Sequence, residues 1–163
     1  MLRRRHTRPP TVFPSISGAT LDGAPASLPD DLVAESNLLV VTFHESQDPL
    51  SDLWILLARR MAAESEGRLE AYEVRIAGRS PRVLRPVIED TLAAQAEDDD
   101  ERGRTMAVHV DRKAFRRRLG LRTDDGVYVF LVGRDGRIRW RGQGSLTPEL
   151  VGGLERALEK GEG

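Results

Sequence analysis

Residues 126–150, GVYVFLVGRDGRIRWRGQGSLTPEL, constrain the fold more tightly than any other part of the chain, because they spell strand, turn, strand and helix start without interruption. Val127–Val132 is an unbroken apolar run rich in β-branched and aromatic side chains, the pattern of a strand covered on both faces. Asp135-Gly136 supplies the hairpin turn, with glycine free to take the positive φ such a turn needs. From Arg137 to Arg141 the residues alternate, so a regular strand places Arg137, Arg139 and Arg141 on one face and Ile138 and Trp140 on the other. Thr147 then offers an N-cap hydroxyl and Pro148 a first helical residue, and Leu150, Val151, Leu154 and Leu158 recur at helical spacing. A helix is expected to close the domain.

Around this passage the chain has 163 residues, 39% hydrophobic and 31% charged, enough for one domain with a substantial core. The expected division is a basic flexible arm over residues 1–12 and a domain over residues 13–160. The arm holds Arg3, Arg4, Arg5 and Arg8, with no acid before Asp22. Thr7-Arg8-Pro9-Pro10 lacks the apolar core of an export signal, and its prolines break the amphipathic helix of a mitochondrial presequence. A solvated tail is the plain expectation, and contact with an anionic membrane or a partner the alternative. No run approaches the ~20 apolar residues of a spanning helix. The expected location is the cytoplasm of a prokaryote, peripheral to the membrane, or else the mitochondrial matrix or inner membrane. A net charge of -1 gives no overall attraction to nucleic acid. The count of cysteines is 0, which removes disulfides, thiolate metal sites and every cysteine-dependent mechanism.

Upstream, two short runs flanking Asp22-Gly23 predict a small β-hairpin after Phe13-Pro14. Leu38–Phe43 reads as a central strand. Ser51 or Asp52 is placed to cap a helix whose buried stripe is Trp54, Ile55, Leu57, Ala58 and Met61, running up to Gly67. Leu69–Ile76 is the next strand. Ser80-Pro81 opens a second helix with Val83, Leu84, Val87, Ile88, Leu92 and Ala96 on its buried side. The acidic run from Glu97 to Glu101 is expected to be solvated. Met106–Val110 is a third strand, and Arg112–Leu119 a short helix capped by Gly120. Strands joined through helices should run parallel, and the last two antiparallel. The expected class is α/β: a thioredoxin-like three-layer fold with a mixed central sheet, an N-terminal β-hairpin extension and a C-terminal β-β-α.

In redox-active members of that fold the thiols sit at the helix start after the first central strand, where the helix dipole lowers their pKa. Here that place holds Asp48-Pro49-Leu50-Ser51. The fold's cis-proline, which precedes the strand facing the site, corresponds to about Tyr128. Both losses argue against thiol-disulfide or peroxide chemistry. His44, Glu45, Asp48 and Ser51 would have to converge to form an acid/base pair or an oxygen-nitrogen metal site, with His44 and Asp48 as the pair in a hydrolytic or metal-dependent enzyme. Helix capping alone also accounts for Asp48 or Ser51. His109 is expected beside the core and His6 lies in the arm, too scattered for a ligand set, so no metal or cofactor is expected. Arg112, Lys113, Arg116, Arg117 and Arg118 read as a solvated helix surface. The Arg137, Arg139 and Arg141 row beside Trp140 suits either sheet-edge protection or a contact surface for anionic groups. Nucleic acid is not an expected partner, since no stacking platform accompanies the charge.

Leu119–Leu121 (LGL), Gly126–Val132, Ile138–Trp140 (IRW), Gly142 and Gly144, and Thr147-Pro148-Glu149 together resemble the C-terminal region of the ATP synthase assembly factor ten family. Phe13–Gly18 is compatible with that family's opening. The resemblance covers about the last fifty residues, and Arg141 departs from it where a small residue follows IRW. It implies a cysteine-poor thioredoxin-like protein without catalysis or cofactor. The implied partner is the membrane-embedded subunit a of F-type ATP synthase, which such factors help to join the ring of c subunits; the alternatives to this reading are the hydrolytic or metal-dependent enzyme and a generic thioredoxin-like protein-interaction domain with another partner.

Overall fold

Every residue of Ser36–Thr42 (β3) is buried, and this strand lies inside the sheet with partners on both sides. The computed structural model describes residues 10–44, 48–79, 82–95 and 99–161. Besides β3 the strands are β1 (Ile16–Thr20), β2 (Pro25–Leu28), β4 (Leu69–Ile76), β5 (Thr105–Val108), β6 (Tyr128–Gly133) and β7 (Ile138–Gln143), in the spatial order β2-β1-β5-β4-β3-β6-β7. The helices are α1 (Asp48–Glu64), α2 (Arg85–Gln95), α3 (Asp99–Arg104), α4 (Arg112–Arg118) and α5 (Pro148–Gly161). The first two strands form the expected hairpin, and β1 joins the sheet antiparallel to β5. Their approach is close: a Cβ on Gly18 would lie 2.3 Å from the Ala107 carbonyl oxygen.

Because strand side chains alternate, β3 feeds two cores. Leu39 and Val41 face Phe13, Phe115, Leu119, Phe130 and Val132, under α4 and the N-terminal segment. Leu38 and Val40 face Trp54, Ala58, Val129, Leu131 and Leu154, under α1 and α5. The α1 stripe is buried as expected at Trp54, Ile55 and Ala58. Thr147 caps α5 through its Oγ1, which accepts from Leu150 N–H at 3.2 Å.

Five expectations need correction. β3 and β4, and β4 and β5, run parallel through their helices, but β6 is antiparallel to β3 although α4 joins it to β5. The seven residues of α4 span only about 10 Å, too short to carry the chain back along the sheet, so it re-enters from the end it left. Helix α1 begins at Asp48, ahead of Ser51 and Asp52. The stripe expected on α2 is mostly outside: Val83 is 83% exposed and Val87 60%, and only Ile88 and Leu92 turn inward. The proposed start at Ser80-Pro81, Ala96, Glu97 and Asp98 lie outside the described residues. Pro10 to Val12, assigned to the arm, lie along β7: Thr11 carbonyl accepts from Ile138 N–H at 2.8 Å, and Val12 bridges Arg137. The terminal strand is thus partly covered at its start, not a bare edge.

The fifth correction concerns the arginine row. Val132 pairs with Ile138 and Leu131 with Trp140, so Arg139 is an extra residue, a β-bulge, between them. The bulge reverses the alternation. Ile138 packs with Phe130 and Val132 on one face, and Trp140 with Trp54 and Leu131 on the other.

Candidate functional site

β3 delivers the chain to Phe43 and His44, and α1 starts with Asp48-Pro49-Leu50-Ser51 as its first turn. The four residues thus occupy the helix start that follows the central strand. Pro49 is exposed, Leu50 half-buried, and Ser51 has 0% exposure, so a hydroxyl lies inside where a thiol would matter. Glu45 lies outside the described residues.

Tyr128 opens β6 opposite Val41 and is 2% exposed. Its ring meets Phe43 edge-on, centroids 6.0 Å apart at 85°. Its hydroxyl donates to the Thr123 carbonyl at 2.6 Å and lies 3.0 Å from the Thr123 hydroxyl. A phenol satisfied this way packs into the core under α4, against Phe43. Among the described residues the cis peptide bond is Leu28-Pro29, after β2 and away from Tyr128.

His44 is paired, through Nε2 at 3.2 Å, with the carboxylate of Asp124, a residue that sequence reasoning did not single out. Asp124 comes from the loop between α4 and β6, and nothing local in the sequence signals a meeting across that distance. No group of three or more His, Asp or Glu side chains among the described residues is arranged to hold a metal ion. His109 follows β5 and places Nε2 3.2 Å from Glu89 Oε1 of α2, while its buried Nδ1 has no hydrogen-bond partner. A cavity of about 400 Å³ lies under α2, lined by Phe43, His44, Arg75, Ile88, Leu92 and Arg112.

The four partner-contact candidates separate into two pairs. Arg137 is well exposed beside Asp135, and Arg139 is exposed, its guanidinium reaching toward the Ser36 hydroxyl at 3.5 Å. Arg141 instead lies on the core face, 5.4 Å above the Phe130 ring, donating to the Leu119 carbonyl at 2.9 Å and to the Pro10 carbonyl. Burial pushes its pKa down from the usual arginine value, yet the three contacts fix it in place. Trp140 is half-buried against Trp54, centroids 6.3 Å apart, and lies over Gly142, where a Cβ would come within 2.5 Å of the indole. The α4 cations also have structural duties: Arg112 donates to the Ala77 carbonyl at 3.1 Å, Arg118 to the Ser15 carbonyl at 3.0 Å, and Arg116 to the Arg122 carbonyl.

No protein-family model matches this chain, and no curated protein matches it. Solved structures do. A putative thiol:disulfide interchange protein DsbE from Chlorobium tepidum superposes with a TM-score of 0.63 at 14% identity, over 96% of this chain and 99% of that one. BsSco, of the Sco family of cytochrome c oxidase assembly proteins, gives 0.62 at 14% identity over 95% and 96%. A thiol peroxidase from Chromobacterium violaceum gives 0.57 at 16% identity over 96% and 88%. The similarity extends over nearly the whole chain and shows the fold alone. With the mixed sheet and its helices, it makes this a thioredoxin-like α/β protein whose helix start carries Asp-Pro-Leu-Ser in a chain with 0 cysteines.

Proposed function

We propose that this protein acts by binding, as a non-catalytic assembly factor for the membrane sector of an F-type ATP synthase. The observation that carries the non-redox part is the first turn of α1, where a fully buried Ser51 stands in a chain without cysteine. No thiolate is available to attack a disulfide or a peroxide. The choice of client rests on the resemblance of the IRW strand, Gly142, Gly144 and the Thr147-Pro148-Glu149 helix start to the assembly factor family. BsSco, of similar fold, belongs to a family of assembly proteins for another membrane complex, which supports the class of role. Arg137, just before β7, and Arg139, in it, are the candidates best placed to touch a partner, because both are exposed.

Affinity capture of the tagged chain from native membranes tests this reading. Subunit a of the ATP synthase should be enriched with the wild type and depleted with Arg137→Ser/Arg139→Ser. Capture without ATP synthase subunits would sink it. A hydrolytic or metal-dependent reading draws on the His44–Asp124 pair. It requires stoichiometric metal in the purified protein, or a hydrolytic activity that His44→Ala abolishes.

A further inference from the structure

Helix α2 is apolar on two sides. Ile88 and Leu92 face the cavity beneath it, while Val83, Leu84 and Val87, just before and within its first turn, are 83%, 49% and 60% exposed. Val87 follows Val83 by four residues and Leu84 by three, the spacings that bring side chains together on a helix, and Ile88 N–H donates to the Leu84 carbonyl at 3.0 Å, which carries the helical turn back to Leu84. Water leaves such a ridge without a favourable partner, and contiguous exposed apolar surface of this kind marks a contact site.

Along the chain up to Glu89, the charge beside the ridge is of one sign. Arg79, Arg82 and Arg85 are interleaved with it, and no acidic residue occurs between Glu73 and Glu89. Arg79 and Arg82 are exposed. The first turn of α2 contains no acid, leaving the positive end of its dipole uncompensated. One turn further along the same stripe Asp90 is exposed, which limits the apolar ridge to the beginning of the helix.

We infer that the start of α2 is a membrane-docking element: Val83, Leu84 and Val87 enter the headgroup boundary of an anionic bilayer while Arg79 and Arg82 meet lipid phosphates. Charge complementarity selects this occupant. Arginine occurs in protein interfaces too, but the aromatic and Met anchors that usually centre one are missing from the ridge, whereas exposed aliphatic residues interleaved with arginines suit an anionic lipid surface. The surface is distinct from the N-terminal arm and does not depend on which protein is the client.

Co-sedimentation of the full chain with protein-free vesicles tests it, using phosphatidylcholine alone and phosphatidylcholine mixed with phosphatidylglycerol. The wild type should bind the mixed vesicles, and less so as salt is raised. Val83→Ser/Leu84→Ser/Val87→Ser should weaken binding on the order of a hundredfold, and Arg79→Ser/Arg82→Ser about fivefold per arginine. The melting temperatures of both variants should fall little, since Val83, Val87 and the two arginines are exposed and Leu84 is half exposed. Replacing Arg3, Arg4, Arg5 and Arg8 by Ser should leave most of the binding in place. Three results would overturn the assignment: no binding of the wild type to anionic vesicles, full binding by the triple variant, or loss confined to the arm variant. A lipid-free dimer that the triple variant dissociates in sedimentation equilibrium would overturn it too, assigning the ridge to a second copy. Since the vesicles hold no protein, none of these outcomes bears on the ATP synthase reading.

Discussion

Ile138 and Trp140 stand two residues apart in β7 and lie on opposite faces of the sheet, because Arg139 bulges between them. A regular strand would have put both on one side. The bulge gives Ile138 to the core under α4 and Trp140 to the core under α1 and α5, so one short strand closes both layers. It also dissolves the continuous arginine row that strict alternation predicts.

The place left for Trp140 is narrow, which gives Gly142 its meaning. A Cβ there would come within 2.5 Å of the indole, and the ring already packs against Trp54. Gly142→Ala should therefore displace Trp140 and cost about 1–3 kcal/mol of stability by overpacking. Urea unfolding measures the loss. A changed tryptophan emission in the folded state would locate it at the Trp54–Trp140 pair, and an unchanged emission would refute the account.

Arg141 and Arg137 should respond oppositely to removal. Arg141 holds the Leu119 and Pro10 carbonyls while covering Phe130, so Arg141→Ala should cost about 2 kcal/mol by leaving partly buried acceptors unpaired. Arg141→Lys should recover little, because an ammonium lacks the fork that reaches two carbonyls. Exposed Arg137→Ala should stay within about 0.5 kcal/mol. Denaturant midpoints compare the three. Amide exchange at Ile138, whose N–H donates to the Thr11 carbonyl, should quicken with Arg141→Ala alone as Pro10 to Val12 detach.

The sheet was legible where burial was continuous or alternated regularly. Leu38–Phe43 and Val127–Val132 have no other use for so many apolar side chains, Leu69–Ile76 alternates around its charged residues, and each became a strand within a residue or two. The hairpin at Asp22-Gly23 and the cap at Thr147 were legible for the same local reason. Hidden features all depended on distant partners. The bulge at Arg139 is decided by pairing with β6, the Asp124 partner of His44 by the return of the chain after α4, and the outward face of α2 by how that short helix sits over its cavity. Helical periodicity identifies an apolar face but not whether anything in the same chain covers it.

Ser51 offers a direct probe of the helix start. Its complete burial predicts that Ser51→Cys gives a thiol shielded from solvent, unlike the reactive, partly exposed thiols of oxidoreductases. Modification by a soluble thiol reagent should be slow in the native protein and should speed up in parallel with unfolding as denaturant is added. Fast native-state labelling would mean that the first turn of α1 opens to solvent, contrary to the packed arrangement.

Alkaline pH should act through Tyr72. Burial, reinforced by the negative charge of Asp31, raises its pKa above the ordinary 10.0. The folded protein therefore keeps the phenol protonated where the unfolded chain has begun to ionise it. Its contribution to stability is complete below the ordinary value and is lost as pH rises through the folded-state pKa. Denaturant midpoints should fall with rising pH in that range, and Tyr72→Phe should flatten the fall. Asp31→Asn should flatten it less, because burial is the larger cause. An ultraviolet difference titration of the phenolate in the folded protein gives the independent check: if Tyr72 ionises at its ordinary value, the alkaline loss of stability belongs to other groups.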